Sequence, residues 1–129
     1  MVREIYENEL SKLLNLYLCL HEKSVPERTE HLKTTWETII KDKNHHIIVN
    51  EADNKIVSSC VCVIIPNLTR NVRPYAFIEC LNYAKEIAKM ENCYKMMLLT
   101  GSKEESILKF YRSAGYNSSD KTAFIQWLE

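Results

Sequence analysis

The spacing of apolar residues along the chain predicts four amphipathic helices. In the first, residues 10, 13, 14, 17 and 18 are Leu or Tyr and recur at the interval of one helix face. The other three helices are predicted from the apolar positions within residues 32–40, 80–88 and 107–114. Thr29 is placed to cap the second helix, and Gly115 is placed to end the fourth.

Six segments have the apolar alternation or short apolar runs that are typical of strands, namely residues 2–6, 46–49, 56–65, 75–79, 94–99 and 122–128. The polar stretch Asp53-Asn54-Lys55 predicts a hairpin between the second and third of them. Residues 96–99 are apolar without interruption, which predicts a strand buried on both faces.

The elements therefore follow the order β-α-α-β-β-β-α-β-α-β. Because the strands at residues 75–79 and 94–99 are joined through a helix, they are expected to be parallel in a sheet otherwise built from hairpins. We expect an α+β fold with a mixed, mostly antiparallel sheet, flanked by about four helices and containing one parallel β-α-β pair.

Length and charge narrow the functional classes. The 129 residues predict a single domain over residues 1–129. Lys and Arg together number 17, as do Asp and Glu, so the formal net charge is zero and no nucleic-acid or membrane partner is expected. The first ten residues are charged from position 3 onward, unlike a signal peptide.

The cysteines indicate a reducing compartment and no metal. Their number is odd and no signal peptide is apparent, so reduced thiols in the cytoplasm are expected. Cys60 and Cys62 alternate within a predicted strand and should share one buried face. No second Cys/His pair lies at zinc-site spacing, so no metal is expected.

Residues 76–83 contain an unusual junction, in which a predicted strand runs directly into a predicted helix. Such a connection normally takes about two to six residues. It also normally includes Ser, Thr, Asp, Asn or Gly to satisfy the first N–H groups of the helix, and none lies between residues 78 and 81. The strand could end earlier, or the helix could begin later, near Asn82. We favour a third interpretation, that a segment is missing between Glu79 and Cys80.

With that gap allowed, the chain resembles the GNAT superfamily of acetyl-CoA-dependent N-acetyltransferases from end to end. Residues 98–103, LLTGSK, and 107–116, ILKFYRSAGY, are similar to the family's strand, loop and helix ending in an FYxxxGF pattern, with Tyr116 in place of Phe. Residues 75–79, YAFIE, resemble the central strand before the cofactor loop. The family's pyrophosphate signature, an Arg or Gln followed by spaced glycines, is absent.

This resemblance implies transfer of an acetyl group from acetyl-CoA to a primary amine by direct attack in a ternary complex. A small-molecule acceptor is preferred to a protein tail because the chain is neutral and has no obvious extra recognition segment. The sequence leaves open whether the protein forms a homodimer. The alternative is a non-catalytic GNAT-like module that binds a ligand or a protein, and the absent glycine signature favours it.

The resemblance also assigns roles to individual residues. Tyr111 matches the tyrosine that faces the departing thiolate, and its other interpretation is a core aromatic. Glu79 at the end of the central strand could accept the amine proton, or it could be a solvated strand-end carboxylate. Ser102 and Lys103 could approach the pantetheine or phosphate groups of acetyl-CoA.

Three further residues are candidates for acceptor binding. Tyr75 lies on the same strand as Glu79. His21 and Glu22 close the first helix and precede the loop that often shapes the acceptor pocket in this family, although solvated helix-end residues are the alternative.

His45 and His46 have no carboxylate near them in sequence and are expected at the surface.

Overall fold

The computed structural model of the protein describes residues 1–19, 22–78 and 82–128. The chain forms two compact units, Met1–Leu98 and Leu99–Glu129. No helix in the described ranges is long and apolar enough to cross a membrane.

The first unit contains a five-stranded sheet in the order β1-β2-β3-β4-β5. The strands are β1 (Val2–Glu4), β2 (His45–Ala52), β3 (Lys55–Ile65), β4 (Tyr75–Ile78) and β5 (Met96–Leu98). The pairs β1–β2, β2–β3 and β3–β4 are antiparallel, whereas β4 and β5 are parallel, with Ala76 opposite Met96 and Ile78 opposite Leu98. The predicted mixed sheet and its single parallel pair are confirmed.

The helices of the first unit are α1 (Leu10–Tyr17), α2 (Glu30–Lys41), the single turn α3 (Thr69–Val72) and α4 (Asn82–Met90). A 3-10 turn, Glu7–Glu9, leads into α1. The Thr29 hydroxyl accepts the backbone N–H of Leu32 at 3.2 Å, so the predicted cap of α2 is confirmed. The turn α3 was not predicted, and Arg70 and Asn71 within it have left-handed backbone angles.

The sheet buries a different set of side chains on each face. One face packs against α1 and α2, where Leu13, Trp36, Ile47, Val49 and Ile56 form a buried cluster. On the other face, the buried residues of the strands lie beside the buried residues of α4, and these are Ile48, Cys60, Cys62, Ile64, Ala76, Ile78, Ala84, Ile87 and Ala88. Cys60 and Cys62 therefore share one buried face as predicted.

The hairpin between β2 and β3 follows from its turn residues. Asp53 and Asn54 have φ angles of +50° and +59°. Left-handed conformations at both central positions match the twist of the flanking strands, and Asn and Asp tolerate them better than most residues. The hairpin fixes the register that places Ile48 opposite Cys60.

The second unit contains α5 (Glu105–Ser113). The predicted strand at residues 122–128 is wrong, because the structure describes this segment in full and assigns it no strand. Phe124, Ile125, Trp127 and Leu128 are all strongly exposed. Alternation of side chains is not enough for a strand, which also needs a neighbour to pair with its N–H and C=O groups. The predicted burial of β5 on both faces is also too strong, because Met96–Leu98 is half-buried.

Candidate active site

The parallel pair β4–β5 is where the family resemblance places the chemistry. Its ladder runs from Ala76 opposite Met96 to Ile78 opposite Leu98, so both strands point their carboxyl ends to the same edge of the sheet. Ligands of open sheets with parallel strands bind beyond that edge. Glu79, the predicted proton acceptor, and the junction with Cys80 lie outside the described residues, as does any divergence of the strands beyond Ile78.

Tyr75 begins β4, at the end away from Glu79. Its ring stands edge to face with Tyr94, with 6.2 Å between centroids. The Lys95 ammonium lies 4.9 Å from the Tyr75 centroid and 5.3 Å from that of Tyr94, a separation typical of cation–π contacts. The structure thus places Tyr75 in a local aromatic and cationic cluster, and its role in substrate binding stays a prediction.

Tyr111 lies in the last turns of α5 and is half-buried. The helix ends in a Schellman motif, in which Tyr116 N–H donates to the Tyr111 carbonyl at 3.1 Å and Gly115 N–H donates to the Arg112 carbonyl at 3.0 Å. Gly115 has a φ of +92°, as expected for its predicted role. The Tyr111 ring stands between Phe110 and Tyr116, at centroid distances of 5.5 Å and 6.5 Å.

The hydroxyl of Tyr111 is the atom that the proposed chemistry would use. Within the described residues it makes no hydrogen bond to a backbone carbonyl, whereas its ring makes edge-to-face contacts on two sides. The ring is therefore held while the hydroxyl keeps its hydrogen for another acceptor. This arrangement is compatible with a proton donor.

Ser102 and Lys103 precede α5. The Ser102 hydroxyl accepts the backbone N–H of Glu104 at 3.2 Å, and its own N–H donates to the Thr100 hydroxyl at 3.2 Å. Lys103 is exposed, and no side chain caps the N-terminus of the helix. Uncapped N–H groups and a lysine form a region that attracts anionic groups. The hydrogen bonds of Ser102 thus stabilise the turn that precedes α5. Its contact with the cofactor stays a prediction.

The two residues predicted for the acceptor loop are only partly described. Glu22 is exposed, and its backbone N–H donates to the Tyr17 carbonyl at 3.4 Å, just after α1. His21 lies outside the described residues. The acceptor role of both residues stays a prediction.

His46 contradicts the expectation of a surface residue. Its side chain is 15% exposed, and its Nδ1 lies 3.3 Å from a carboxylate oxygen of Glu4 on β1. Its Nε2 is buried and has no hydrogen-bond partner among the described residues. The carboxylate comes from a position 42 residues away, so only the sheet register brings the pair together.

A second charged group was also missed. The Arg3 guanidinium donates two hydrogen bonds to Glu9, at 2.8 and 2.9 Å, and two to Glu51, at 3.0 and 2.7 Å. The hydrogen bonds from Arg3 lower the pKa of Glu9 from 4.5 to about 2. Because Glu9 directly precedes α1, this network anchors β1 to the start of the helix and to β2.

Burial disfavours the thiolate form of two described cysteines, Cys62 and Cys93. Burial raises the pKa of Cys62 to about 11, which disfavours its thiolate. Burial likewise raises the pKa of Cys93. In the described part of the chain, no three His, Cys, Asp or Glu side chains are grouped to hold a metal ion.

Comparison with known structures identifies the family. A solved structure named "putative acetyltransferase" from Agrobacterium tumefaciens strain C58 is 31% identical, covers 98% of this chain and 99% of its own, and superposes with a TM-score of 0.84. A transcriptional regulator from Bacillus halodurans C-125 is 21% identical, with coverages of 98% and 99% and a TM-score of 0.79.

A third similar structure is AAC(6′)-Iy, an aminoglycoside N-acetyltransferase solved with CoA and with the bisubstrate analogue CoA-S-monomethyl-acetylneamine. In the analogue complex it is 15% identical, covers 98% of this chain and 97% of its own, and has a TM-score of 0.71. Neither the comparison with family models nor that with curated proteins found a match. The identity and coverage of the Agrobacterium structure, together with the shared mixed sheet, show that the chain belongs to the GNAT superfamily.

Proposed function

We propose that the protein transfers an acetyl group from acetyl-CoA to a primary amine of a small molecule, with residues 1–129 acting as one N-acetyltransferase domain. The observation that carries the proposal is the 31% identity, over 98% of the chain, to a structure named as an acetyltransferase. Support comes from the parallel β4–β5 pair and from the setting of Tyr111 at the end of α5.

The first requirement of the reaction is a neutral amine. An alkylammonium has a pKa of about 10, so most of a free amine is protonated and unable to attack at neutral pH. In the proposed reaction Glu79 accepts this proton, directly or through water. The amine nitrogen then bonds to the thioester carbon, and the carbon–sulfur bond breaks after the tetrahedral intermediate has formed. The extra proton on the nitrogen passes to the departing thiolate, directly or through water, which leaves a neutral amide and a thiol.

The second requirement is stabilisation of the departing thiolate. A phenol with a pKa of about 10 that donates to a thiolate whose acid has a pKa of about 8.5 is uphill by about 2 kcal/mol for full transfer. That is a small fraction of a typical barrier, and a hydrogen bond without full transfer already helps. In the proposal the Tyr111 hydroxyl supplies this hydrogen bond.

Ser102 and Lys103 complete the proposed acetyl-CoA site. The exposed Lys103 ammonium and the uncapped N-terminus of α5 suit the anionic and amide groups of the pantetheine arm and its phosphates. The departure from the family is the glycine signature, since the chain has only Gly101 and Gly115. Backbone N–H groups elsewhere in the chain would have to bind the pyrophosphate of acetyl-CoA. The affinity for acetyl-CoA should therefore be lower than in members of the family that have the glycine signature.

The absence of the glycine signature favours a second candidate function, a non-catalytic GNAT-like module that binds a ligand or a protein. The mass of the protein purified from its native cells, measured by mass spectrometry, helps to distinguish this module from an acetyltransferase. A mass above the 15.2 kDa of these 129 residues would show that a segment is missing from the sequence. A matching mass would favour the binding module.

We propose a small primary amine as the acceptor. Tyr75, His21 and Glu22 would contact the parts of this molecule that are remote from the reacting nitrogen. The aminoglycoside acceptor of AAC(6′)-Iy is one example of a small polyamine used by a protein of this fold. The test is incubation with acetyl-CoA and a panel of small primary amines, beside a lysine-containing peptide, with products identified by mass spectrometry. Acetylation of the peptide alone would overturn the acceptor class.

Initial rates measured over a grid of both substrate concentrations test the ternary complex. Intersecting reciprocal plots are expected for direct attack. Parallel plots would indicate an acetylated enzyme intermediate and would contradict the proposal.

A further inference from the structure

The first unit contains a cavity on the sheet face that α4 covers. Its volume is about 630 Å³, which lies within the range of about 300–1,000 Å³ that is usual for small-molecule sites. Ile48 and Cys60, each 3% exposed, line it from neighbouring strands, and Val2 lines it from β1. All described residues that line it belong to the first unit, and none is a residue to which a role in acetyl transfer was assigned.

Apolar groups of α4 face the strand residues across the cavity. Ala84, which is 1% exposed, and Tyr83, which is 39% exposed, line it from the helix. Protein interiors are otherwise packed to the density of organic crystals, so a space of this size between helix and sheet is unusual. An apolar space of this size therefore fits an organic body better than water.

The rim of the cavity is polar and cationic. Lys85, Glu86 and Lys89 line it from α4, and Asn50 and Ser58 line it from directly opposite positions on β2 and β3. Lys89 forms an exposed ion pair with Glu86 at 3.0 Å. The ammonium group of Lys85 has no carboxylate within ion-pair distance in the described residues. The lining side chains thus carry one positive charge in excess, and the Met1 ammonium donates to Asn50 Oδ1 at 3.4 Å. The Asn50 amide and the Ser58 hydroxyl can donate hydrogen bonds to a ligand.

We propose that this cavity binds a small amphipathic organic anion, with its hydrocarbon body over Ile48 and Cys60 and its carboxylate or similar group at Lys85, Asn50 and Ser58. The proposal uses none of the residues to which a role in acetyl transfer was assigned, and it stands whether or not the protein is an acetyltransferase. The combination of an apolar floor with a cationic, hydrogen-bonding rim distinguishes this ligand class from neutral hydrophobes and from cations.

The test uses decanoate as the probe, below its micellar concentration, with decanol and decyltrimethylammonium as neutral and cationic analogues. Isothermal titration calorimetry measures affinity. Two-dimensional NMR locates the binding, because Ile48, Cys60 and Ala84 line the cavity and their backbone amide signals report on it. Decanoate should bind more tightly than either analogue and should shift these signals without shifting that of the exposed Cys19.

Two variants locate the binding. Ser58→Phe places a large side chain into the cavity and should abolish binding of decanoate. Lys85→Gln should weaken it by about 2- to 5-fold, the effect of losing one partly exposed ion pair. Lys43→Gln, at an exposed position in the turn between α2 and β2, is the control and should change nothing. Circular dichroism and thermal unfolding verify that each variant is folded.

Several results would overturn the proposal. One is absence of decanoate binding to the folded wild-type protein. Another is binding that Ser58→Phe leaves unchanged, which would place the ligand elsewhere. Equal affinity for decanol, or an equal effect of Lys43→Gln and Lys85→Gln, would remove the anionic class. Acetyl transfer is not a readout in any of these measurements, so their outcome is independent of the proposed function.

Discussion

The backbone N–H of Tyr116 donates to the carbonyl of Tyr111 at 3.1 Å, and the two rings stand edge to face with 6.5 Å between their centroids. The same helix end thus fixes both the backbone and the ring of Tyr111. The conformation of Gly115, at a φ of +92°, is what lets the chain turn back to make this contact. The sequence pattern FYxxxGY consequently encodes a local structure that holds Tyr111, whichever reaction the residue serves.

Substitution of Gly115 tests that structure. An alanine at Gly115 would meet no heavy atom within 4 Å, so its cost comes from the positive φ alone. We expect Gly115→Ala to lower the free energy of unfolding by about 1–2 kcal/mol in urea denaturation. Gly101→Ala is the matched control, since Gly101 also has open space and lacks a positive φ, and it should be close to neutral. Equal effects of the two would argue against the Schellman motif.

Removal of the Tyr111 hydroxyl tests its proposed role. The hydroxyl matters mainly as charge develops on sulfur, so Tyr111→Phe should lower kcat with little change in the KM for acetyl-CoA. The expected loss is about 10- to 1,000-fold, by comparison with removal of an oxyanion donor. The ring contacts with Phe110 and Tyr116 are kept, so the melting temperature should hardly move. Wild-type turnover in the variant would make Tyr111 a core aromatic.

The network of Arg3, Glu9 and Glu51 predicts a specific acid sensitivity. The folded-state pKa of Glu9 is lowered from 4.5 to about 2, so the folded state binds its proton less readily than the unfolded state. The stabilisation is therefore complete above about pH 4.5 and is lost as the pH falls toward 2. Glu9→Gln should make the free energy of unfolding less dependent on pH in this window.

Urea denaturation at a series of pH values measures that dependence. Glu27→Gln, in the exposed loop before α2, controls for the loss of one carboxylate. A slope in Glu9→Gln as steep as in the wild-type protein would show that the network contributes nothing to the acid transition.

Local rules accounted for most of the fold. The cap at Thr29, the turn at Asp53 and Asn54 and the helix end at Gly115 depend on neighbours within a few residues, and each was predicted. The parallel β4–β5 pair followed from its crossover helix. The strand predicted at residues 122–128 is not formed. Alternating apolar residues indicate only that one face of a segment is suited to burial, and they do not indicate a neighbouring strand with which the segment could pair.

Ion pairs between distant segments could not be predicted. Glu4 and His46 are 42 positions apart, and Arg3 and Glu51 are 48 apart. Only the register of β1 on β2 brings these pairs together, and no composition or spacing signal reports that register. For the proposed chemistry, the sequence indicated residue types through the family resemblance, and of these Tyr111, Ser102, Lys103, Tyr75 and Glu22 lie in the described residues.

The most direct test of acetyl transfer follows an isotopically labelled acetyl group from acetyl-CoA to a small primary amine. The purified protein is incubated with both substrates, and the labelled N-acetyl product is quantified over time by mass spectrometry. The account predicts product that exceeds one equivalent of protein, with a lower rate in Tyr111→Phe at an unchanged melting temperature. A folded protein that binds labelled acetyl-CoA and yet acetylates no amine above the uncatalysed rate would contradict it.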